Sequence, residues 1–299
     1  MSARWIGGLA VTVLVGCGSV SSAVDADGAG CDPLARFDPP QALNEFDPAL
    51  APADPSLSPD ELTMFLTQNS PVGDRDLYMA ARGERSGGFG TPIALTSLNS
   101  SGNDAAASIS ADGLTLLFHS KRIAGTGQRL YVATRPSMLA AFGAPTLLGG
   151  VASPTAASDD MQAFLTSDGQ ELWFVSNRGG DLGIYRAPRE GGEFANPVEV
   201  TELESPDLEQ HVTLSVDRLT VYFSSNRVGF GSQGGFDIYR SRRASVNEPF
   251  APPTIVEELA TSASDSPRWL SPDNCRLYLH SDIGGGGFKI YVATRRPSS

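Results

Sequence analysis

Four carboxylates stand eight residues before an aspartate that recurs along this 299-residue chain: Asp104, Asp160, Glu209 and Asp265, ahead of Asp112, Asp168, Asp217 and Asp273. A fifth, Asp54, precedes Asp60 by six. Carboxylates gathered once per repeat could bind a cation or a basic peptide tail, because crowded like charges are relieved by an incoming positive group. Two of them held roughly 5 to 9 Å apart, one raised in pKa, could instead do general acid/base work on a glycosidic bond. Arg122, Arg178 and Arg227 offer a third, structural reading, in which each guanidinium pairs with a neighbouring carboxylate and locks the fold. The sequence favours that structural reading of the arginines, and the even recurrence of the acids argues against an enzyme.

Other chemistry is thinly represented. His119 and His280 occupy equivalent repeat positions with polar neighbours, but their units are not adjacent, so no metal site is expected from the three histidines. The nearest approach to a nucleophile elbow, "GFGSQGG", has Phe230 where the first glycine belongs. No phosphate-cradling glycine loop with lysine is present, and the glycines at 284–287 read as a hairpin. No cofactor is expected.

The elements that must position these residues are repeats. "SPDELTMFL", "SADGLTLLF", "TSDGQELWF", "SVDRLTVYF" and "SPDNCRLYL" align without gaps, and their aspartates, Asp60 to Asp273, are 52, 56, 49 and 56 residues apart. Each opens a tight turn followed by an apolar alternation that reads as a strand. A second strand follows in every unit, as in "DIYRSRR" and "KIYVATR". A Phe-x-x-Pro segment follows in four units, its proline placing it at a sheet edge. With a further strand before each aspartate, the unit is a four-stranded propeller blade. The chain ends without a fifth outer strand, while "FDPPQAL", residues 37–43, stands alone ahead of the first unit. The sequence therefore predicts an all-β, five-bladed propeller of antiparallel blades, closed by an N-terminal outer strand; a sixth blade has no copy to fill it. Strand alternation puts the five carboxylates where the innermost strands begin, around the channel mouth, with the three arginines arriving on hairpins at the same face.

"SADGLTLLF", "TSDGQELWF", "SNRGGDLGIY" and "SNRVGFGSQGGFDIY" resemble the WD-like repeats of the TolB-type propeller family, over about residues 37–295. The resemblance implies a propeller fold and a cell-envelope setting. TolB's extra N-terminal domain and an OmpA-like domain are not recognisable, so no specific partner contact carries over.

The chain divides into a signal peptide (1–16), a tether (17–36) and the propeller (37–299). The apolar run Trp5 to Val15 is too short to span a bilayer and reads as a secretory signal. "LVGC", ending at Cys17, looks like a lipobox, in which that cysteine carries diacylglycerol and an acyl chain such as palmitate. The Gly/Ser-rich stretch that follows reads as a flexible tether. Localisation at a membrane of the cell envelope is expected, the outer one by the Gly18 that follows, facing the periplasm or the cell surface. Cys31 and Cys275 remain as an even pair in an oxidising compartment, and alternation places both at one face, so a disulfide between them is expected. A formal charge of −12 repels backbone phosphates and excludes nucleic acid as the main partner. The expected function is non-catalytic: a monomeric lipoprotein binding an envelope protein or peptidoglycan through its channel face or its rim. A glycosidase-like propeller is the alternative.

Overall fold

A computed structural model describes residues 31–71, 73–229 and 231–296. The segment read as a signal peptide, Cys17 and residues 18–30 lie outside them. Five antiparallel sheets follow one another around a central channel, and all but the last are contiguous in sequence. From the channel outward, blade 1 consists of Ala53–Leu57, Thr63–Asn69, Arg75–Ala81 and Ile93–Ala94. Blade 2 is Asp104–Ile109, Thr115–Ser120, Arg129–Thr134 and Thr146–Leu147. Blade 3 runs Asp160–Leu165, Glu171–Ser176, Gly183–Glu190 and Val198–Glu199, with an additional short strand, Glu193–Phe194, on its third. Blade 4 comprises Glu209–Leu214, Thr220–Ser225, Asp237–Arg242 and Thr254–Ile255, and blade 5 begins with Asp265–Leu270, Arg276–Ser281 and Lys289–Thr294.

The recurring aspartate makes each first turn. Its Oδ1 accepts the backbone N–H two residues on, as from Leu62 to Asp60 at 3.0 Å and Leu114 to Asp112 at 2.9 Å, and takes the hydroxyl of the preceding Ser or Thr. Outer strands are two residues long and start directly after the proline of Phe-x-x-Pro, which has no N–H to continue a ladder. The phenylalanine of each segment is a fastener. Arg82, Arg135, Arg189 and Arg243, at the ends of third strands, lie 4.3–4.6 Å over Phe89, Phe142, Phe194 and Phe250.

The same contact identifies the closure. Gln41–Ala42 pairs antiparallel with Tyr291 and Val292, and Arg295 lies 4.3 Å over Phe37. The N-terminal segment thus supplies the outer strand of blade 5. Cys31 is bonded to Cys275 in the first turn of that blade, 244 residues away in sequence. Five apolar clusters fill the five gaps between neighbouring blades. Phe65, Leu116 and Phe118 join blades 1 and 2, and Leu57, Met64, Trp269 and Tyr278 join blades 5 and 1. Across that last gap Arg276 also meets Glu61 at 2.8 Å, and Tyr278 donates to the same carboxylate at 3.2 Å.

Candidate functional site at the channel mouth

The carboxylates at the starts of the inner strands do not ring an open mouth. Asp104, Asp160, Glu209 and Asp265 are at most 1% exposed. Arg122 donates to Asp104 at 2.7 Å, Arg178 to Asp160 at 2.6 Å and Arg227 to Glu209 at 2.8 Å. Each guanidinium also donates to a carbonyl of the connection arriving from the previous blade, at Leu98, Val151 and Leu203. Each ion pair therefore clips one blade to the chain that enters it. This corrects the expected placement: a carboxylate beginning an inner strand faces the arriving loop, whose hydroxyl and N–H groups draw it in, as Ser100 does for Asp104. In blade 5 Ile283 stands where the arginine would be, and Asp265 keeps the loop contacts the other blades also have, taking the Thr261 hydroxyl and N–H. With no cation beside it, burial raises the Asp265 carboxyl.

Glu204 lies against this framework. Burial, followed by a hydrogen bond with Glu209 and repulsion from Glu209 and Glu199, raises its carboxyl to about 8, although the Ile184 N–H donates to it at 2.9 Å. A carboxyl whose folded pKa lies above its unfolded value binds extra protons when folded, so its contribution to stability is lost as pH rises between those values. Glu204→Gln cannot ionise and is expected to raise the melting temperature by about 2–4 °C at pH 9 and by little at pH 5, as read by thermal melts. An equal gain at both pH values would contradict the raised pKa.

The residues that face the channel belong to a different repeat position. Six residues before the recurring aspartate the inner strand bulges, and there Asp54, Ala106, Gln162 and His211 adopt φ of 56°, 54°, 54° and 54°. In blade 5 that place is held by Pro267, whose ring forbids such a φ, and the register shift spans Pro267 to Trp269 with Arg268 between them. Asp54, with its spacing of six, is thus the odd acid of the set and the one carried to the channel.

Every bulge N–H that exists is caught by a neighbouring blade. Asp54 N–H donates to His280 Nδ1 (3.1 Å), Ala106 N–H to Thr67 Oγ1 (3.0 Å) and Gln162 N–H to His119 Nδ1 (3.2 Å). The equivalent acceptor in blade 3 would be Val175, which has no polar atom, and Gln162 reaches across instead to accept from His211 N–H at 3.0 Å. His119 and His280 are therefore acceptors at Nδ1, which assigns their protons to Nε2. His211 takes the opposite assignment, with Nδ1 on Ser224 Oγ (3.1 Å) and Nε2 facing the Gln162 amide nitrogen (2.9 Å).

Burial lowers His119 and His280 to about 4, and burial with the charge of Arg268 holds His211 well below its usual value, so all three rings are neutral at physiological pH. Burial alone would raise the Asp54 carboxyl, but Arg268, then His280 and Arg75, outweigh it and hold that group well below the usual carboxylate range. Arg268 Nε stands 3.4 Å from Asp54 Oδ1 without hydrogen-bond geometry. Asp54, His119, His211, His280, Arg75 and Phe288 line a cavity of about 280 Å³ at this mouth. The opposite mouth, on the disulfide's face, is an apolar cavity of about 250 Å³ ringed by Leu57, Ile109, Leu165, Leu214 and Leu270.

The sequence reading paired His119 with His280 and set the histidines aside. The structure instead brings His211, from blade 4, to a ring-centroid distance of 5.0 Å from His280, in blade 5, with Asp54 of blade 1 beside them. Those blades are consecutive around the closed ring. Spacings of six before and seven after the recurring aspartate are the signal that marks these positions.

No protein-family model and no curated protein matches the chain. Among solved structures it is similar to the catalytic domain of a GH62 α-L-arabinofuranosidase of Coprinopsis cinerea, with a TM-score of 0.56 and 12% identity over 87% of this chain and 97% of that one. The α-L-arabinofuranosidase PaAbf62A of Podospora anserina gives 0.57 and 12% over 89% and 99%. TolB of Acinetobacter baumannii gives 0.45 and 18% identity, covering 82% of this chain and 55% of that one. At these identities the likeness is one of fold.

Proposed function

We propose that this propeller is a non-catalytic binding module of the cell envelope, tethered through Cys17, and that a protein or peptidoglycan partner docks over the mouth that holds Asp54. The observation that carries this reading is the fate of the acids. Four of the five candidate carboxylates are consumed as buried structural partners, and Asp54 alone among them lines the mouth. Hydrolysis of a glycosidic bond needs one carboxyl that donates a proton and a second that stays ionised. Asp54 is held ionised, and among the described residues no second carboxylate lines the mouth cavity. The glycosidase alternative is left with the fold likeness to arabinofuranosidases, which comes without that pair.

Arg75 lines the same cavity, and its side chain has no hydrogen bond or ion pair among the described residues. Crosslinking pull-down of the lipidated protein from intact envelopes, read for proteins and peptidoglycan fragments, is expected to recover a defined partner and to lose it on Arg75→Glu. Full recovery by that variant would move docking to the rim. Turnover of oligosaccharides that disappears with Asp54→Asn would replace binding by catalysis.

A further inference from the structure

We propose that Asp54, His211 and His280 form a binding site for a divalent transition-metal ion of the Zn²⁺ type in the channel mouth. Their ligand atoms all lie within 4.8 Å of one another. The Asp54 Oδ1 to His280 Nδ1 distance is 3.5 Å, close to the roughly 3.4 Å between two ligands that each sit about 2.1 Å from one tetrahedral ion. Closing the set requires the widest pair, at up to 4.8 Å, to shorten by about 1.4 Å, a shift within reach of a rotation of the His211 ring. Two imidazoles and one carboxylate suit zinc, cobalt, nickel or copper, whereas calcium and magnesium take oxygen ligands. The cavity of about 280 Å³ gives the ion an entry path and room for water or a partner's group at the remaining position.

The surroundings prepare two of the three ligands. His211 holds Ser224 Oγ through Nδ1 at 3.1 Å, which leaves Nε2 as the coordinating nitrogen and fixes the ring as an outer partner does in known sites. Ion entry exchanges two weak holds, the Gln162 amide on His211 Nε2 and the Asp54 N–H on His280 Nδ1, for coordination bonds. Arg268 is the competitor. It supplies the positive charge facing Asp54 when the ion is absent, yet its Nε makes no hydrogen bond there, so the carboxylate is available for exchange. Because the three ligands come from blades 4, 5 and 1, a bound ion would also bridge the ring where its two ends meet. This site stands whether or not the mouth docks an envelope partner.

The test uses the untagged full propeller chain, stripped with chelator, with Zn²⁺ binding read by calorimetry and Cu²⁺ by electron paramagnetic resonance. One equivalent is expected, with hyperfine coupling from two nitrogens. Asp54→Asn is expected to weaken binding by about tenfold or more, and His211→Gln to do the same while reducing the coupling to one nitrogen. Arg268→Gln is expected to tighten Zn²⁺ binding about tenfold by removing the competing cation, a change that adventitious binding at surface carboxylates would not show. If Arg268→Gln does not fold, the nitrogen count in His211→Gln decides alone. Absence of saturable binding, affinity unchanged in both ligand variants, or two nitrogens retained in His211→Gln would overturn the assignment.

Discussion

Glu61→Gln is expected to lower the unfolding free energy by about 2–3 kcal/mol, because it neutralises a buried carboxylate shared by Arg276, Arg82 and Tyr278, although Arg276 keeps Asp273 at 2.9 Å. Glu61 is 1% exposed and holds Arg276 through both carboxylate oxygens, at 2.8–3.0 Å. Arg82 stands 3.6 Å away and Tyr278 donates at 3.2 Å. The pair crosses from blade 1 to blade 5, so its loss acts at the closing interface of the ring. Glu61 also sits at φ 61°, at the turn position where blades 2 and 3 use Gly113 and Gly169. A side chain is kept there in spite of the backbone cost, as expected when it carries an interaction across the blades. Arg218 is the internal control. It occupies the same turn position in blade 4 and reaches Asp168 at 3.3 Å and Glu171 at 3.8 Å, but with 23% and 42% of the Arg218 and Asp168 side chains exposed. Arg218→Gln is expected to cost at most about 1 kcal/mol. Urea unfolding of both variants, compared at unchanged slope, checks the contrast, and equal midpoints would refute it.

Removal of the Cys31–Cys275 bond is expected to cost about 2–5 kcal/mol. A cross-link closing a loop of 244 residues removes much of the freedom of the unfolded chain. The native state depends on it locally as well. The closing strand is two residues long, and ahead of it the N-terminal segment is held by Phe37 against Arg295 and Tyr222, by the N–H groups of Asp32, Phe37 and Asp38 on the Arg296 carbonyl, the Glu258 carboxylate and the Thr294 carbonyl, and by exposed ion pairs of Arg36 and Asp38. Cys31→Ala with Cys275→Ala should therefore lower the melting temperature and speed hydrogen exchange where the closing segment pairs, at residues 41–43, before the rest of the ring opens. Reductant should do the same to the wild type and nothing to the double variant. An unchanged melt on reduction would mean that apolar packing between blades 5 and 1 closes the ring without the bond.

Much of the fold could be read before any coordinates, for a physical reason. A propeller repeats one solution to one packing problem, so turn aspartates, alternating apolar residues and Phe-x-x-Pro segments recur at nearly constant spacing. The orphan segment at Phe37 then has one vacancy to fill. Strand alternation likewise sufficed to put Cys31 and Cys275 on one face, because the period of two is rigid over a short strand.

What the sequence alone determined, then, was the number of blades, their closure, and which residue types recur at which step of the repeat. Where the carboxylates face was decided only in three dimensions. An offset of eight and an offset of six from the same aspartate look interchangeable in a list of acids, but the left-handed bulge falls at the offset of six. The bulge turns Asp54 into the channel, while Asp104, Asp160 and Glu209 meet arginines of their own blades against the arriving connections. The cluster of Asp54, His211 and His280 was equally beyond a linear reading. Its members come from three blades, with Asp54 and His280 226 residues apart, and they meet because closure of the ring brings the inner strands of blades 4, 5 and 1 together around one axis.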